Sequence, residues 1–249
     1  MVVGRSSISD QPRSEAENQR YYDTFAAQYE AHRHDGYHRW LDTRTVSLLD
    51  PLVRGRETLE VGCGTGLLLK EVHGLAARAR GIDLSDGMLD HARRRGLDDV
   101  QGSATALPFD DHAFDVVYSF KVLAHVPDLR TAFSEMTRVC RPGGRLVLEL
   151  YNKRSARYWI RKLRAPGAVG QDTDEQDVFT RFYDEAELRD MLPPGVTVER
   201  IEGLRVATVL PQVFRLPAVG PAWAGLEDLL SRSPLRRFAG FLVLVLRKG

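Results

Sequence analysis

Residues 59–67, Leu-Glu-Val-Gly-Cys-Gly-Thr-Gly-Leu, carry the pattern that decides the fold. They predict an apolar strand that ends in three glycines and continues into an amphipathic helix. Glycines in such a turn let the backbone approach a ligand closely, and the start of the following helix favours an anionic group. The dinucleotide-binding fingerprint requires a glycine three positions after Gly64, where this chain has Leu67. The segment therefore predicts a nucleotide-like ligand and disfavours a dehydrogenase.

Predicted strands and helices alternate around this segment. Alternation of this kind requires crossover connections, which give a parallel α/β sheet with helices on both faces. Five apolar runs predict strands in this part of the chain, and two later runs predict two more: 58–61, 79–84, 99–101, 114–119, 145–150, 196–201 and 241–247.

The 249 residues suit a single large α/β domain. We predict a mobile N-terminus over 1–15 and one domain over 16–249. Within it, the apolar and aromatic spacing of 16–50 predicts two helices, interrupted near Asp35-Gly36. The composition changes after Asn152, so 153–185 is predicted to be an insertion over one end of the sheet.

Composition disfavours several classes of protein. Lys and Arg total 35 against 34 Asp and Glu, so the chain lacks the basic excess of a nucleic-acid binder. Cys63 and Cys140 can by themselves form neither a disulfide framework nor a zinc site, which fits a cytoplasmic location. Cys63 is interpreted as a small packing residue of the glycine loop and not as a nucleophile. The longest apolar run, 238–246, is about half of the roughly 20 residues that cross a bilayer. We expect neither a transmembrane helix nor a signal peptide.

Asp83 is the strongest candidate for a single ligand-binding side chain. It lies 23 positions after Glu60, where the second predicted strand ends. A carboxylate at this place can accept both hydroxyls of a ribose, as the acid about 20 residues past the glycine loop does in dinucleotide folds.

These motifs resemble the class I S-adenosylmethionine-dependent methyltransferases, and most closely the small-molecule, quinone-biosynthesis-like group (methyltransferase type 11). The first motif of that family is acid-x-Gly-x-Gly-x-Gly, and the likeness extends from about Tyr21 to Arg247. It implies a Rossmann-like, seven-stranded, mostly parallel sheet with an antiparallel last strand, capped by the N-terminal helices and the insertion after strand 5. It also implies S-adenosyl-L-methionine (SAM) as cofactor, S-adenosyl-L-homocysteine (SAH) as product, no metal, and a small-molecule acceptor.

The resemblance assigns a cofactor site. The glycine loop would hold the methionine part of SAM through turn N–H groups and a nearby carboxylate, and the adenine would lie against apolar residues, although Met88 could equally be a core residue. Residues 102–109 look like the family's Gly-Asp-Ala-x-x-Leu-Pro-Phe, so Ser103 replaces an Asp that accepts the adenine amine; a neutral hydroxyl is a weaker acceptor. The implied cofactor residues are Glu60, Gly62, Gly64, Gly66, Asp83, Leu84, Met88, Ser103, Ala104, Ser119 and Phe120.

The acceptor site is predicted where the loops meet the cap. If the acceptor is a hydroxyl, His125 is the candidate general base, because neutral imidazole is available near pH 7; the alternative is that it only positions its loop. Lys121 either steers an anionic acceptor or is solvated, with solvation favoured. His32, His34 and His38 are interpreted as surface histidines. The other candidate acceptor residues are Tyr22, Tyr29, Tyr151, Asn152, Arg181 and Tyr183.

Several functional alternatives stay open. The chain could methylate oxygen or carbon of a quinone, phenol, polyketide or sugar-like metabolite, or be a SAM-binding regulatory module without turnover. A nucleic-acid or protein methyltransferase is a further alternative, but Ser119-Phe120-Lys121-Val122 lacks the Pro-Pro-aromatic element expected for base methylation. The basic segment 153–164 is predicted to be a lid rather than a helix that touches a membrane surface. A monomer and a homodimer are both compatible with the sequence.

Overall fold

The structure is a computed structural model that describes residues 14–27, 29–30, 36–163, 180–208, 210–216 and 219–249. The predictions for residues 1–13, for His32 and His34, and for residues 164–179 of the insertion lie outside these ranges.

The sheet has seven strands in the order β3-β2-β1-β4-β5-β7-β6. Neighbouring strands from β3 to β5 run parallel, whereas β7 is antiparallel to both β5 and β6, which confirms the predicted topology. The strands are β1 Glu57–Val61, β2 Arg78–Asp83, β3 Asp98–Gln101, β4 Phe114–Ser119, β5 Cys140–Tyr151, β6 Val196–Leu204 and β7 Phe241–Lys248.

Strand β5 begins five residues earlier than predicted. Its first residue, Cys140, pairs with Phe114, and the register shifts before Arg145 pairs with Val116. The segment 141–144 therefore forms an irregular start of the strand. Gly143 supplies the positive φ of 75° that this irregularity requires.

The helices include the two predicted at the N-terminus. Helix α1 has a capping box in which the Ser14 hydroxyl accepts the Glu17 N–H and the Glu17 carboxylate accepts the Ser14 N–H. Ser14 therefore caps this helix, and Glu15 is its first residue. The helices are α1 Glu15–Phe25, α2 Gly36–Val53, α3 Leu67–His73, α4 Asp86–Arg94, α5 Leu129–Val139, α6 Ala156–Leu163, α7 Glu185–Asp190 and α8 Val219–Ser231.

Apolar residues cover both faces of the sheet, as expected for parallel strands between two helical layers. Val117 belongs to one buried cluster, whereas its neighbours Val116 and Tyr118 belong to the cluster on the opposite face. Helix α5 packs Phe133 and Met136 into the first cluster, and the Asp128 carboxylate caps its start by accepting the Thr131 N–H at 3.0 Å.

The strand order reverses between β1 and β4. At such a switch point the loops leave the carboxyl ends of the two strands in opposite directions, which opens a crevice for ligands. The glycine loop follows β1 and the loop of His125 follows β4, so both predicted motifs lie at this crevice. None of the helices described here has the combination of length and apolar character that a bilayer-crossing helix needs.

Candidate active site

A cavity of about 1050 Å³ lies at the switch point, between the carboxyl ends of the strands and helices α1 and α2. Most of the predicted cofactor and acceptor residues line this cavity. These residues are Glu60, Gly62, Gly64, Asp83, Leu84, Met88, Ser103, Ala104 and Phe120 from the cofactor set, and Tyr22, Tyr29, Lys121, His125 and Tyr151 from the acceptor set.

The glycine loop is shaped by close contact with the loop after β4. Gly62 has φ +79°, and a Cβ added there would lie 2.6 Å from Cγ1 of Val122 and nearer still to its Cγ2. The N–H groups of Gly62 and Cys63 both donate to the Ile82 carbonyl, and that of Gly64 donates to Asp83. These N–H groups, which we expected to bind the cofactor, join β1 to β2 in this structure.

The Asp83 carboxylate accepts hydrogen bonds from two loops. Its Oδ2 accepts the Gly64 N–H at 2.8 Å, and its Oδ1 accepts the Ser85 N–H at 2.9 Å. Burial raises the pKa of Asp83, while these N–H donors favour the ionised form. An ionised carboxylate has about four acceptor positions, so the geometry leaves capacity for a ribose diol.

Glu60 supplies a second carboxyl group to the same wall. Its side chain is buried at the end of β1, and Tyr118 donates its hydroxyl to Oε2 at 3.3 Å. Burial raises the pKa of Glu60 well above its usual range. A cation placed beside this group would favour its ionised form, so the site suits a positively charged ligand.

Helix α1 contributes polar groups that the sequence analysis missed. Glu15 and Asn18 join Tyr22 in the cavity wall. Asn18 donates Nδ2 to the His125 carbonyl at 3.2 Å, and its buried Oδ1 has no partner among the described residues. The signal was present in the sequence, because spacings of three and four residues place these side chains on one helix face.

A carboxylate lies beside the residue that departs from the family motif. The Ser103 hydroxyl donates to Oε1 of Glu15 at 2.6 Å, and the Thr105 hydroxyl donates to the same oxygen at 2.9 Å. Helix α1 thus places the Glu15 carboxylate beside Ser103, the position at which the family motif has an Asp.

His125 lies between two tyrosines. Its ring centroid is 6.5 Å from that of Tyr22 and 5.7 Å from that of Tyr151, and its Nδ1 is 3.3 Å from the Thr180 hydroxyl. Burial raises the pKa of Tyr22 well above its usual range and that of Tyr151 to about 12. Both phenols therefore stay neutral near pH 7.

Two predicted cofactor residues do not line the cavity. The Ser119 hydroxyl is buried and donates to the Val61 carbonyl at 2.7 Å, so it joins β4 to β1. Gly66 has φ +80° and precedes α3, where an added Cβ would lie 2.6 Å from Cδ1 of Leu97. Both positions support the packing beneath the glycine loop.

Three predicted acceptor residues are also outside the cavity. Asn152 follows Tyr151, so the alternation along a strand turns its side chain to the other face, where Nδ2 donates to the carbonyls of Arg237 and Ala239. Tyr183 is buried in the core, and Arg181 is exposed with its guanidinium 5.1 Å from the Tyr183 ring.

Lys121 and His38 differ from their predicted environments. Lys121 has φ +63°, pairs with Asp42 at 3.2 Å and has a side chain that is one-quarter exposed (25%). His38 is half-buried and lines the cavity. Among the residues that the structure describes, no group of three or more His, Cys, Asp or Glu is arranged to hold a metal.

The strand order, the glycine loop at the switch point and the acid after β2 define a Rossmann-like nucleoside-binding protein. The family model described as "Methyltransferase domain" matches residues 59–148. A ubiquinone biosynthesis O-methyltransferase of Thiobacillus denitrificans is 30% identical over 191 residues, which are 72% of this chain and 78% of that protein. The chain belongs to the class I SAM-dependent methyltransferases.

Other relatives agree with this assignment. A demethylmenaquinone methyltransferase of Bacillus licheniformis is 35% identical over 117 residues, or 44% of this chain and 50% of that protein. The crystal structure of magnesium protoporphyrin IX methyltransferase from Synechocystis PCC 6803 with bound SAH has a TM-score of 0.65 at 17% identity and covers 95% of this chain and 100% of that one. At such low identity this likeness shows the fold alone.

The residues of the cavity fit SAM. Asp83 can accept a diol, the buried Glu60 suits the charge of an ammonium or sulfonium group, and the unpartnered Oδ1 of Asn18 can accept from a ligand donor. The protein is a SAM-dependent methyltransferase.

Proposed function

We propose that the protein methylates a small aromatic acceptor of the phenol or quinone type, on oxygen or carbon. The observation that carries this proposal is the size and lining of the cavity. Ligand pockets usually measure ~300–1,000 Å³, so about 1050 Å³ has room for SAM and an acceptor together. Tyr22, Phe25, Tyr29 and Tyr151 line the cavity and supply the apolar and aromatic surface that a planar ring requires.

Bound SAM supplies an electrophilic methyl group on a sulfonium. The protein's own task is to hold the acceptor atom in line with that methyl at about 3 Å and to exclude water. Tyr22 and Tyr151 orient the ring of the acceptor. His125 takes the proton from an acceptor hydroxyl as the oxygen becomes a nucleophile. The names of the quinone-biosynthesis relatives support an acceptor of this kind.

The proposal is tested by SAH release with a panel of catechols, hydroquinones, sugars and polyketide-like phenols. We expect turnover with at least one ring-hydroxyl acceptor. Tight SAM binding in calorimetry with no turnover on any of them would instead support a binding module that has lost catalysis.

We predict that His125→Gln lowers kcat by about 10²–10⁴-fold, the usual contribution of general acid–base catalysis. The KM for SAM is expected to stay within a few-fold, because the substitution removes a proton acceptor and not a cofactor contact. The measurement is steady-state SAH release. His73→Gln, at the exposed end of α3, is the matched control. A kcat within threefold of the wild type would show that His125 only positions its loop.

We also predict that Glu15 strengthens adenine recognition. The Ser103 hydroxyl donates to Glu15, which makes its oxygen a better acceptor for the adenine amine. Glu15→Gln is expected to weaken SAH binding by about tenfold, since hydrogen bonds to charged groups contribute ~1.5–3 kcal/mol. Calorimetry measures the change.

The control for Glu15 is the exposed carboxyl of Asp110, changed to Asn. The inosine analogue of SAH, in which a ring carbonyl replaces the amine, should bind to the wild type and to Glu15→Gln with similar affinity. An equal loss with both ligands would assign Glu15 to the packing of α1 and not to recognition of the amine.

A further inference from the structure

A buried carboxylate lies behind the wall of the cavity, on strand β5. Glu149 is 1% exposed and is not among the residues that line the cavity. Its Oε1 accepts the Lys121 backbone N–H at 3.1 Å, and its buried Oε2 has no hydrogen-bond partner among the described residues. No step of the methyl transfer described above uses this carboxylate.

The surroundings of Glu149 would suit an apolar side chain. Val147 and Tyr151 lie on the same face of β5, and the residue paired with Glu149 on β7 is Val243. Burial of a carboxyl group among such neighbours destabilises the fold unless hydrogen bonds compensate for the lost water. A residue that departs from its local environment in this way indicates a functional constraint.

The bond from Lys121 to Glu149 lies where the chain leaves the sheet. The pairing of β4 with β5 ends at Ser119 and Leu148, and two residues later Lys121 has φ +63°. This left-handed conformation is unfavourable for a residue with a side chain, and it persists where the surroundings hold it. Lys121 is held at both ends, because Glu149 accepts its N–H and Asp42 of α2 pairs with its ammonium at 3.2 Å.

The loop held by Glu149 forms part of the cofactor site. Phe120 and Lys121 line the cavity, and the side chain of the next residue, Val122, lies against Gly62 of the glycine loop. A shift of the Lys121 backbone would therefore move two residues of the cavity wall and the support of the glycine loop together.

The ionisation of Glu149 depends on groups from several elements. Those that interact with it electrostatically include Lys121 after β4, Arg157 of α6, Asp42 and Tyr37 of α2, and Tyr151 of β5. Burial raises the pKa of Glu149 to about 7, although the positive charges of Lys121 and Arg157 act in the opposite direction. The carboxyl is therefore partly ionised near neutral pH, and its ionised form is the stronger acceptor for the Lys121 N–H.

We propose that Glu149 is a positioning residue for cofactor binding, whose ionised carboxylate holds the loop 120–122 in the conformation that binds SAM and SAH. Protonation of Glu149 weakens this hold, so the affinity for SAH falls as the pH drops through neutrality. The inference concerns the cofactor half of the reaction and does not depend on which acceptor is methylated.

The first experiment measures SAH binding by calorimetry at pH 6 and pH 8, for the wild type and for Glu149→Gln. Glutamine keeps the size of the side chain and one acceptor oxygen but carries no charge. We expect the variant to bind SAH about tenfold more weakly at pH 8, the usual difference between a charged and a neutral acceptor, and to bind within about twofold of the wild type at pH 6.

The comparison at two pH values isolates Glu149. Glu60 and Asp83 are present in both proteins, so their titration affects both SAH affinities alike. Glu199→Gln is the matched control, because Glu199 is an exposed glutamate on the edge strand β6, and it should bind SAH like the wild type at both pH values. Melting temperatures show whether each variant is folded.

The second experiment uses the wild type alone. Because the Lys121 amide donates to Glu149, its proton chemical shift should follow the ionisation of that carboxyl, with a midpoint near pH 7. Saturation with SAH should lower the midpoint by about one pH unit, since a tenfold preference of the ligand for the ionised form changes the proton affinity by the same factor. NMR of ¹⁵N-labelled protein measures both titrations.

Two results would overturn the proposal. A ratio of wild-type to Glu149→Gln affinity for SAH that is the same at pH 6 and pH 8 would assign Glu149 to packing alone. A Lys121 amide that does not titrate, or whose midpoint SAH leaves unchanged, would contradict the proposal even if Glu149→Gln did not fold.

Discussion

Asp83→Ala is expected to weaken SAM and SAH binding by about 100-fold or more. The substitution removes the acceptor for the Gly64 and Ser85 N–H groups and the acceptor that we propose for the ribose diol. Each hydrogen bond to a charged group contributes ~1.5–3 kcal/mol, so the loss of even two such contacts reaches this factor. Isothermal calorimetry with SAH measures the change, and circular dichroism checks that the sheet is intact.

Two further variants test whether the loss of affinity is specific to the Asp83 carboxylate. Asp86→Ala removes an exposed carboxylate of the same turn, which pairs with Arg93, and should leave the Kd for SAH within twofold. Asp83→Asn keeps the size of the side chain and one acceptor oxygen, so it should fold and bind SAH more weakly than the wild type. SAH affinities within fivefold of wild type in folded Asp83→Ala and Asp83→Asn would remove Asp83 from the binding site.

The sheet and its glycine loop were predictable because their signals are local. Each buried parallel strand is a short apolar run, and the loop between Val61 and Leu67 combines glycine spacing with the start of a helix. The position of Asp83 followed from the same logic, because the carboxyl ends of neighbouring parallel strands meet at one edge of the sheet. The seven-stranded, mostly parallel sheet and the antiparallel β7, implied by the resemblance, are confirmed.

The side chains that complete the cavity were less predictable because their roles depend on long-range packing. Glu15 reaches Ser103 from helix α1, which is held against α4 where Asp23 accepts the Ser85 hydroxyl and the Gly87 N–H. No local pattern specifies that docking. Asn152 lies outside the cavity for a simpler reason, because one residue along a strand reverses the direction of a side chain.

Gly62→Ala is expected to lower the free energy of unfolding by about 2–5 kcal/mol. A residue with a Cβ at φ +79° costs ~1–2 kcal/mol, and the new methyl would overlap the Val122 side chain, which adds the ~1–3 kcal/mol of an overpacked core. For a chain of this size the melting temperature should fall by about 2–4 °C per kcal/mol. Urea unfolding and scanning calorimetry measure both quantities.

Gly64→Ala separates stability from ligand binding. Gly64 also has a positive φ, +54°, but nothing lies within 4 Å of an added Cβ, so only the backbone strain of ~1–2 kcal/mol is expected. Because Gly64 lines the cavity, its new methyl should instead reduce SAH affinity. Val122→Ala combined with Gly62→Ala should recover part of the stability, since it removes the two γ-methyl groups that the new Cβ meets. Equal stability losses for Gly62→Ala and Gly64→Ala, with no recovery in the double variant, would assign the whole cost to backbone strain and none to the contact between the two loops.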